Sequence, residues 1–553
     1  MAGKIHCLII TGILLLTMWC VFHNGADLSG CSTTSTVQRM QQQPSHAWQG
    51  CLRLDKPPLK HGNKDNEHPD KEGEQYRYFL HITDMHVDLG YTPGTTVKSA
   101  CHRKRGETFQ QEQLQETLTT TRPRKHHRVG RLGAPFEHCD APLELAQQTI
   151  DWVARHWKDK LDFVIWTGDN SRHDWDRKES RRRNQILQLN QKVTSLIAES
   201  LPNTPIIPCL GNNDVYPHNR IVDYDEILPF FENLWRSWIP KSERNKFLQG
   251  GYFITDIGKN IRVVSLNTMF FIKKNKSVKS CRKNNGPAKD HIHWLEQTLA
   301  QAEKDHKRVL IMGHVPPSPR DYRNSCFTEY LRISADYGHV IAGHFYGHLN
   351  MDHFLLYDSQ QFIGNSKKSS PATTLLEADD DDGQLIHVTR NIERYVDWLR
   401  GMYQSIEAPK DTEEEEDEDT TPSPGDSDNN LVAIQVSPSV LPVYYPTVRI
   451  YRYTDSFQSG NLLGYSQYYA NITRWELEHP PEDPLEYELE YTTENDYDLD
   501  NLSPKSLFKF AKYMIEGDSD NMWNAYTRNM FVRTQNETFP IDDDDDDDDD
   551  DDY

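Results

Sequence analysis

Nine cysteines in 553 residues, with no two at C-x-x-C spacing, provide no framework for a zinc knuckle or a dithiol redox motif. No internal repeat is present, which excludes solenoids and propellers. An excess of basic charge is also missing, for the formal net charge is −23. That value does not describe the folded part. The runs 379–382, 411–419 and 542–552 carry 4, 8 and 11 acidic residues, and outside them 61 acids face 61 bases. The acidity therefore belongs to solvated low-complexity segments, and a polyanionic ligand is not excluded by charge.

One long apolar run is present, residues 5–22, broken only by His6 and preceded by Lys4. Its 18 residues rise about 1.5 Å each, about enough to cross a hydrocarbon core. It is read as a signal anchor whose short N-terminus Lys4 holds in the cytosol, giving a single-pass type II protein with the remainder luminal. A cleaved signal peptide ending near Ala26 is the alternative. Sequons at Asn275, Asn471, Asn501 and Asn536 would suit luminal exposure and glycosylation. Seven cysteines follow the apolar run, so disulfides are expected and at least one thiol stays free. Cys209, within an apolar strand-like run, is the candidate.

Composition divides the chain. A cytosolic tip and anchor (1–22) and a polar stalk (23–75) precede an α/β core over 76–358. A largely low-complexity insert (359–430), a Tyr-rich C-terminal subdomain (431–531) and an acidic tail (532–553) follow. Within the core, 106–131 reads as a basic loop insertion, and 141–157 and 186–201 have helical spacing between strands.

Five short apolar runs (78–82, 163–166, 206–210, 309–312 and 340–342) each stop close to metal-binding side chains. The stops are Thr83-Asp84-Met85-His86, Gly168-Asp169-Asn170, Gly211-Asn212-Asn213-Asp214, Gly313-His314 and Gly347-His348-Leu349-Asn350. In α/β sheets ligands gather beyond the carboxyl ends of strands, so these side chains can converge. Each motif alone is commonplace; five in order behind strands describe a two-metal phosphoesterase site. Two cations about 3.5–4 Å apart clamp phosphoryl oxygens and lower the pKa of a bridging water. Asp169 is the natural shared carboxylate, Asp84 and His86 reach the first metal, and Asn212, His314 and His348 serve the second. This donor mixture suits Mn, Fe, Zn or Co better than Ca, with Mg less clear.

The ordered set Asp84/His86, Asp169, Asn212, His314, His348 resembles the calcineurin-like metallophosphoesterase superfamily. That resemblance implies a metallophosphoesterase β-sandwich flanked by helices around a dinuclear centre. Ile341-Ala342-Gly343-His344-Phe345-Tyr346-Gly347-His348 and Leu463-Gly464-Tyr465-Ser466-Gln467-Tyr468-Tyr469 are similar to its acid sphingomyelinase-like branch. The anchor, the Gly211–Asp214 box and the acidic insert resemble the fungal vacuolar endopolyphosphatases. The implied activity is metal-dependent cleavage of internal phosphoanhydride bonds in long inorganic polyphosphate, at a vacuolar membrane with the catalytic part luminal. An oligomer is compatible with this reading, and no nucleic acid partner is expected.

The chain departs from the superfamily pattern twice. Asn213 stands where a leaving-group-assisting His is usual, with His218 as a possible substitute. An ester leaves as an alkoxide and needs a general acid, whereas an anhydride leaves as a phosphate of pKa about 6. The loss therefore favours polyphosphate over a sphingomyelinase-like diester. Asn350 stands where a metal-binding His is usual; its amide oxygen can coordinate, or His344 or His353 can replace it. A non-catalytic polyphosphate binder is the third reading, and it leaves a bridging carboxylate unexplained. Basic clusters at Arg103-Lys104-Arg105, 122–131, Arg181-Arg182-Arg183 and 273–283 are candidates to track the polyanion, with Arg181, Arg182 and Arg183 foremost.

Overall fold

The computed structural model describes residues 76–103, 128–176, 178–282, 286–363, 388–407, 430–454, 462–516 and 520–534. The expected anchor, stalk and Asp tail, and most of the basic insertion and acidic insert, lie outside the described residues. Among the described residues no helix is long and apolar enough to cross a membrane.

The strands are β1 (Tyr76–Ile82), β2 (Val87–Asp88), β3 (Ala141–Pro142), β4 (Leu161–Trp166), β5 (Ile206–Pro208), β6 (Phe253–Ile257) and β7 (Ile261–Ser265). They continue with β8 (Arg308–Met312), β9 (Ile341–Tyr346), β10 (His353–Asp358), β11 (Leu431–Val436), β12 (Thr447–Thr454), β13 (Leu462–Tyr469) and β14 (Glu488–Thr492). One six-stranded sheet runs β14-β13-β12-β1-β4-β5 and the other β10-β11-β9-β8-β7-β6, with β2 and β3 a small pair. Each sheet has a parallel stretch, β1-β4-β5 in one and β7-β8-β9 in the other. Parallel strands covered on both faces are apolar along most of their length, and β4 and β8 accordingly end in Phe-Val-Ile-Trp and Val-Leu-Ile-Met after one charged residue near the start of each.

The sheets face each other across aromatic side chains. Phe79 of β1 meets Phe345 of β9 edge-on at 5.5 Å and stacks on Tyr451 of β12 at 4.8 Å. Burying each such ring contributes about 2 kcal/mol. Helices Leu143–Trp157 and Arg183–Ser200 make the crossovers flanking β4. Leu145, Ile150 and Val153 of the first, and Ile186, Val193 and Ile197 of the second, turn inward as helical spacing requires.

The stretch 431–531 contributes strands to both sheets. β12 pairs antiparallel with β1 over six residue pairs, and β11 lies between β10 and β9. Without β12 the apolar β1 would be a sheet edge with unpaired backbone groups, and pairing removes that liability. Disulfides join Cys101 to Cys139 and Cys281 to Cys326, and Cys209 is a buried free thiol. The Asn275 sequon is corrected by the fold. Its side chain is fully buried and donates to Ile221 O at 2.9 Å and Met269 O at 3.0 Å, leaving no room for a glycan.

Candidate metal centre

All five sequence motifs follow strand ends on the same side of the two sheets' parallel stretches. Asp84 and His86 follow β1, Asp169 follows β4, Asn212 follows β5, His314 follows β8, and His348 and Asn350 follow β9. Asp84, His86, Asp169, His348 and Asn350 have φ of 51°, 40°, 55°, 71° and 56°. Left-handed backbone at non-glycine residues costs on the order of 1–3 kcal/mol each and persists where surrounding structure enforces it. Gly347 shows how tight the enforcement is: a Cβ there would collide with Thr83 and the Asp84 carboxylate.

Two donor groups share one carboxylate. The ligand atoms of Asp84, His86 and Asp169 lie within 4.8 Å of one another, and so do those of Asp169, His314 and His348. Asp169 Oδ2 is 3.5 Å from His86 Nε2 and 3.1 Å from His314 Nε2. Asn212 Oδ1 lies 2.8 Å from His314 Nε2, and His348 Nδ1 lies 3.2 Å from the same nitrogen. Every one of these side chains is buried or nearly so.

The electrostatics call for positive charge between them. His86 Nδ1 is 3.1 Å from Ser171 O, and His314 Nδ1 is 2.8 Å from Thr167 O. A ring nitrogen facing a carbonyl must donate, so Nε2 of each neutral imidazole turns a lone pair toward carboxylate oxygen. Lone pair against lone pair is repulsive unless a proton or a cation intervenes. Burial pushes the His314 pKa down, yet Asp169 beside it prevails and holds it at about 9. Burial raises Asp169, but His314 and then His86 outweigh it and hold the carboxyl well below its usual range. Asp84 Oδ1 and Asn350 Oδ1 are buried acceptors without a hydrogen-bond partner. Such orphans are costly unless something outside the protein completes them. The residues present therefore fit divalent metal, with the backbone carbonyls fixing the imidazole tautomers as outer-sphere partners of metal-bound histidines do.

The remaining expected site residues divide. Asn213 lies against Asp169, its backbone N 2.7 Å from Oδ1 and its Nδ2 2.8 Å from Oδ2. His218 Nε2 sits 2.7 Å from Asn212 Nδ2, which places the possible substitute for Asn213 next to a proposed metal ligand. Arg181 is buried and donates to Arg172 O at 2.9 Å and Asn213 O at 2.7 Å, so it braces a loop instead of meeting solvent. Arg183 pairs with Glu226 at 2.9 Å, leaving Arg182 as the exposed member of the trio. His344 bonds Tyr330 at 2.6 Å and His353 bonds Tyr395 at 2.7 Å, so neither replaces Asn350.

Three further residues bear on the centre. Asp214 accepts from the backbone N of Gly211, Asp169, Asn170 and Ser171 at 3.0, 2.8, 2.9 and 3.3 Å, tying two ligand loops together. His173 stacks on His86 at 4.0 Å and contacts Asp140 at 2.7 Å. The sequence places Asp214 in the Gly211 box and His173 close after Asp169, but gives no sign of their contacts. Lys274 is exposed and forms no ion pair among the described residues. Burial first, and then neighbouring charges that include Lys274, push the pKa of His348 down.

Comparison with known proteins agrees with this architecture. Residues 77–349 match the calcineurin-like phosphoesterase family model, and residues 430–543 match the acid sphingomyelin phosphodiesterase C-terminal region. A curated endopolyphosphatase of Cryptococcus neoformans is 31% identical over 463 residues, covering 78% of this chain and 66% of the relative. One of Candida glabrata is 31% identical over 468 residues, covering 76% and 66%. That of Saccharomyces cerevisiae is 31% identical over 328 residues, covering 57% and 46%. The chain thus spans just under two thirds of the length of the first two relatives. The strand-end ligands and the shared Asp169 all fall within residues 77–349, the stretch that matches the calcineurin-like phosphoesterase model.

Proposed function

We propose that the protein is an endopolyphosphatase, hydrolysing internal phosphoanhydride bonds of long inorganic polyphosphate with two divalent cations. Asp84, His86 and Asp169 would hold one, and Asp169, Asn212, His314 and His348 the other, with the unpartnered Asn350 Oδ1 a further donor to the pair. When bound, such a pair supplies Lewis-acid clamping of phosphoryl oxygens and an acidified water. Mn, Fe, Co and Zn suit this carboxylate, imidazole and amide set best, and Mg is admissible.

The observation that carries the reading is a shared carboxylate with a non-titratable neighbour: Asn213 grips Asp169 and can give no proton. A departing phosphate with pKa about 6 needs no such proton, while an alkoxide does. The relatives named endopolyphosphatase support the same choice. The C-terminal match keeps a sphingomyelinase-like diesterase as the second reading, and Asn213 weakens it. The protein's own residues hold Asp169 rigid through Asn213 and Asp214, keep His86 and His314 as oriented imidazoles, and offer Lys274 to incoming phosphates.

Incubation of the purified protein with long-chain polyphosphate, with and without chelator, tests this. Chelator-sensitive fragments of intermediate length are expected; release of single phosphates alone, or turnover indifferent to chelator, contradicts it. The reading includes a luminal position at a vacuolar membrane through the run 5–22, supported by that run's composition and by two disulfides, which persist in oxidising compartments.

A further inference from the structure

The loop carrying His348 and Asn350 links β9 to β10, and both residues sit at left-handed φ. A loop under such strain needs an anchor at each end. At the near end His348 N donates to Asp84 Oδ2 at 2.8 Å. At the far end stands Asp352, 3% exposed, one carboxylate oxygen accepting from Arg449 Nη2 and the other from Tyr491 Oη. Asp352 N also donates to Met530 O at 3.1 Å.

Arg449 is wholly buried on β12. Its Nε donates to Gln467 Oε1 at 2.9 Å, and its guanidinium carbon lies 4.0 Å from the Tyr465 ring centroid. Every partner of this guanidinium but Asp352 comes from β12 and β13, and Tyr491 comes from β14; none is a candidate ligand. A buried ion pair is often no more stabilising than apolar packing of equal volume. What it supplies that apolar contact does not is direction, since two donors on two oxygens fix the plane of a carboxylate.

We propose that Arg449 and Tyr491 are positioning residues which hold Asp352 and so aim the Asn350 side chain, two residues before it, at the metal centre. The C-terminal segment then completes the metal site without giving it a ligand. This rests on reading Asn350 as a ligand of the proposed pair.

The full chain, stripped by chelator, is titrated calorimetrically with Mn2+ as wild type, Arg449→Lys, Tyr491→Phe, Asn350→Ala and the Tyr491→Phe/Asn350→Ala double variant. Melting temperatures in chelator are taken alongside. Each single variant is expected to bind one of two Mn2+ equivalents about tenfold more weakly. The double variant should lose no more than Asn350→Ala alone, as coupled residues do. Wild-type affinity for both equivalents in both tether variants, with only the melting temperature lowered, overturns the proposal; so does full additivity in the double variant. Should Arg449→Lys fail to fold, Tyr491→Phe removes a single hydroxyl and carries the test. A wild type that binds no Mn2+ defeats the metal reading itself and the tether with it, a result distinct from failure of the variants alone.

Discussion

Asn213 holds both oxygens of Asp169, one through its backbone N at 2.7 Å and the other through its side-chain amide at 2.8 Å. The carboxylate shared by both donor groups is thereby fixed in plane. Truncating the amide frees one oxygen to rotate. Asn213→Ala is expected to lower polyphosphate turnover about 10- to 100-fold, and Asp169→Ala to abolish it, in steady-state assays at saturating Mn2+. Metal-dependent turnover retained by Asp169→Ala would contradict the assignment.

Asp214 receives four backbone N–H groups from the two loops flanking Asp169. Leaving a buried donor unsatisfied costs about 1–3 kcal/mol. Asp214→Ala should therefore destabilise the fold by at least about 3 kcal/mol in denaturant unfolding. A loss within the scatter of surface substitutions would show that water replaces the carboxylate freely.

Lys274 is an exposed cation whose charge acts on His348. Lys274→Ala should raise KM for long polyphosphate several-fold and reduce the slope of log kcat/KM against log salt by about one. An unchanged salt slope would remove Lys274 from the substrate's path.

His102 is clasped between Asp88 and, at 2.8 Å, Asp176. Its hydrogen bond to Asp88, foremost, raises its pKa above the ordinary value. A group whose pKa rises on folding stabilises fully below its unfolded value of about 6.5 and loses that contribution as pH climbs through the folded value. The stability gap between wild type and His102→Gln should thus narrow as pH rises above about 6.5 and through the raised folded value. A gap that widens over this range would mean His102 is neutral in the fold.

Much of the centre is legible in the chain because a strand and the residues that end it are adjacent in sequence. Asp84, Asp169, His314 and His348 can be found from an apolar run that stops. Partnerships across the fold are not local and leave no such mark. Nothing in Thr447–Thr454 says that it lies beside β1, and three consecutive arginines look alike until Arg181 is seen to donate inward to carbonyls. Asp214 stands in plain view in its box, yet its four backbone partners come together only once β4 and β5 are aligned.

The pairing of β1 with β12 has a temporal consequence. Translation delivers Asp84 early, but the strand that borders its own emerges some 370 residues later. Contacts so distant close late, after loop entropy has been overcome. A nascent polypeptide halted before Thr447 carries all of the proposed ligands and lacks the strand that flanks the first of them. The candidate metal centre therefore gains its flanking strand only once this distant pairing has closed.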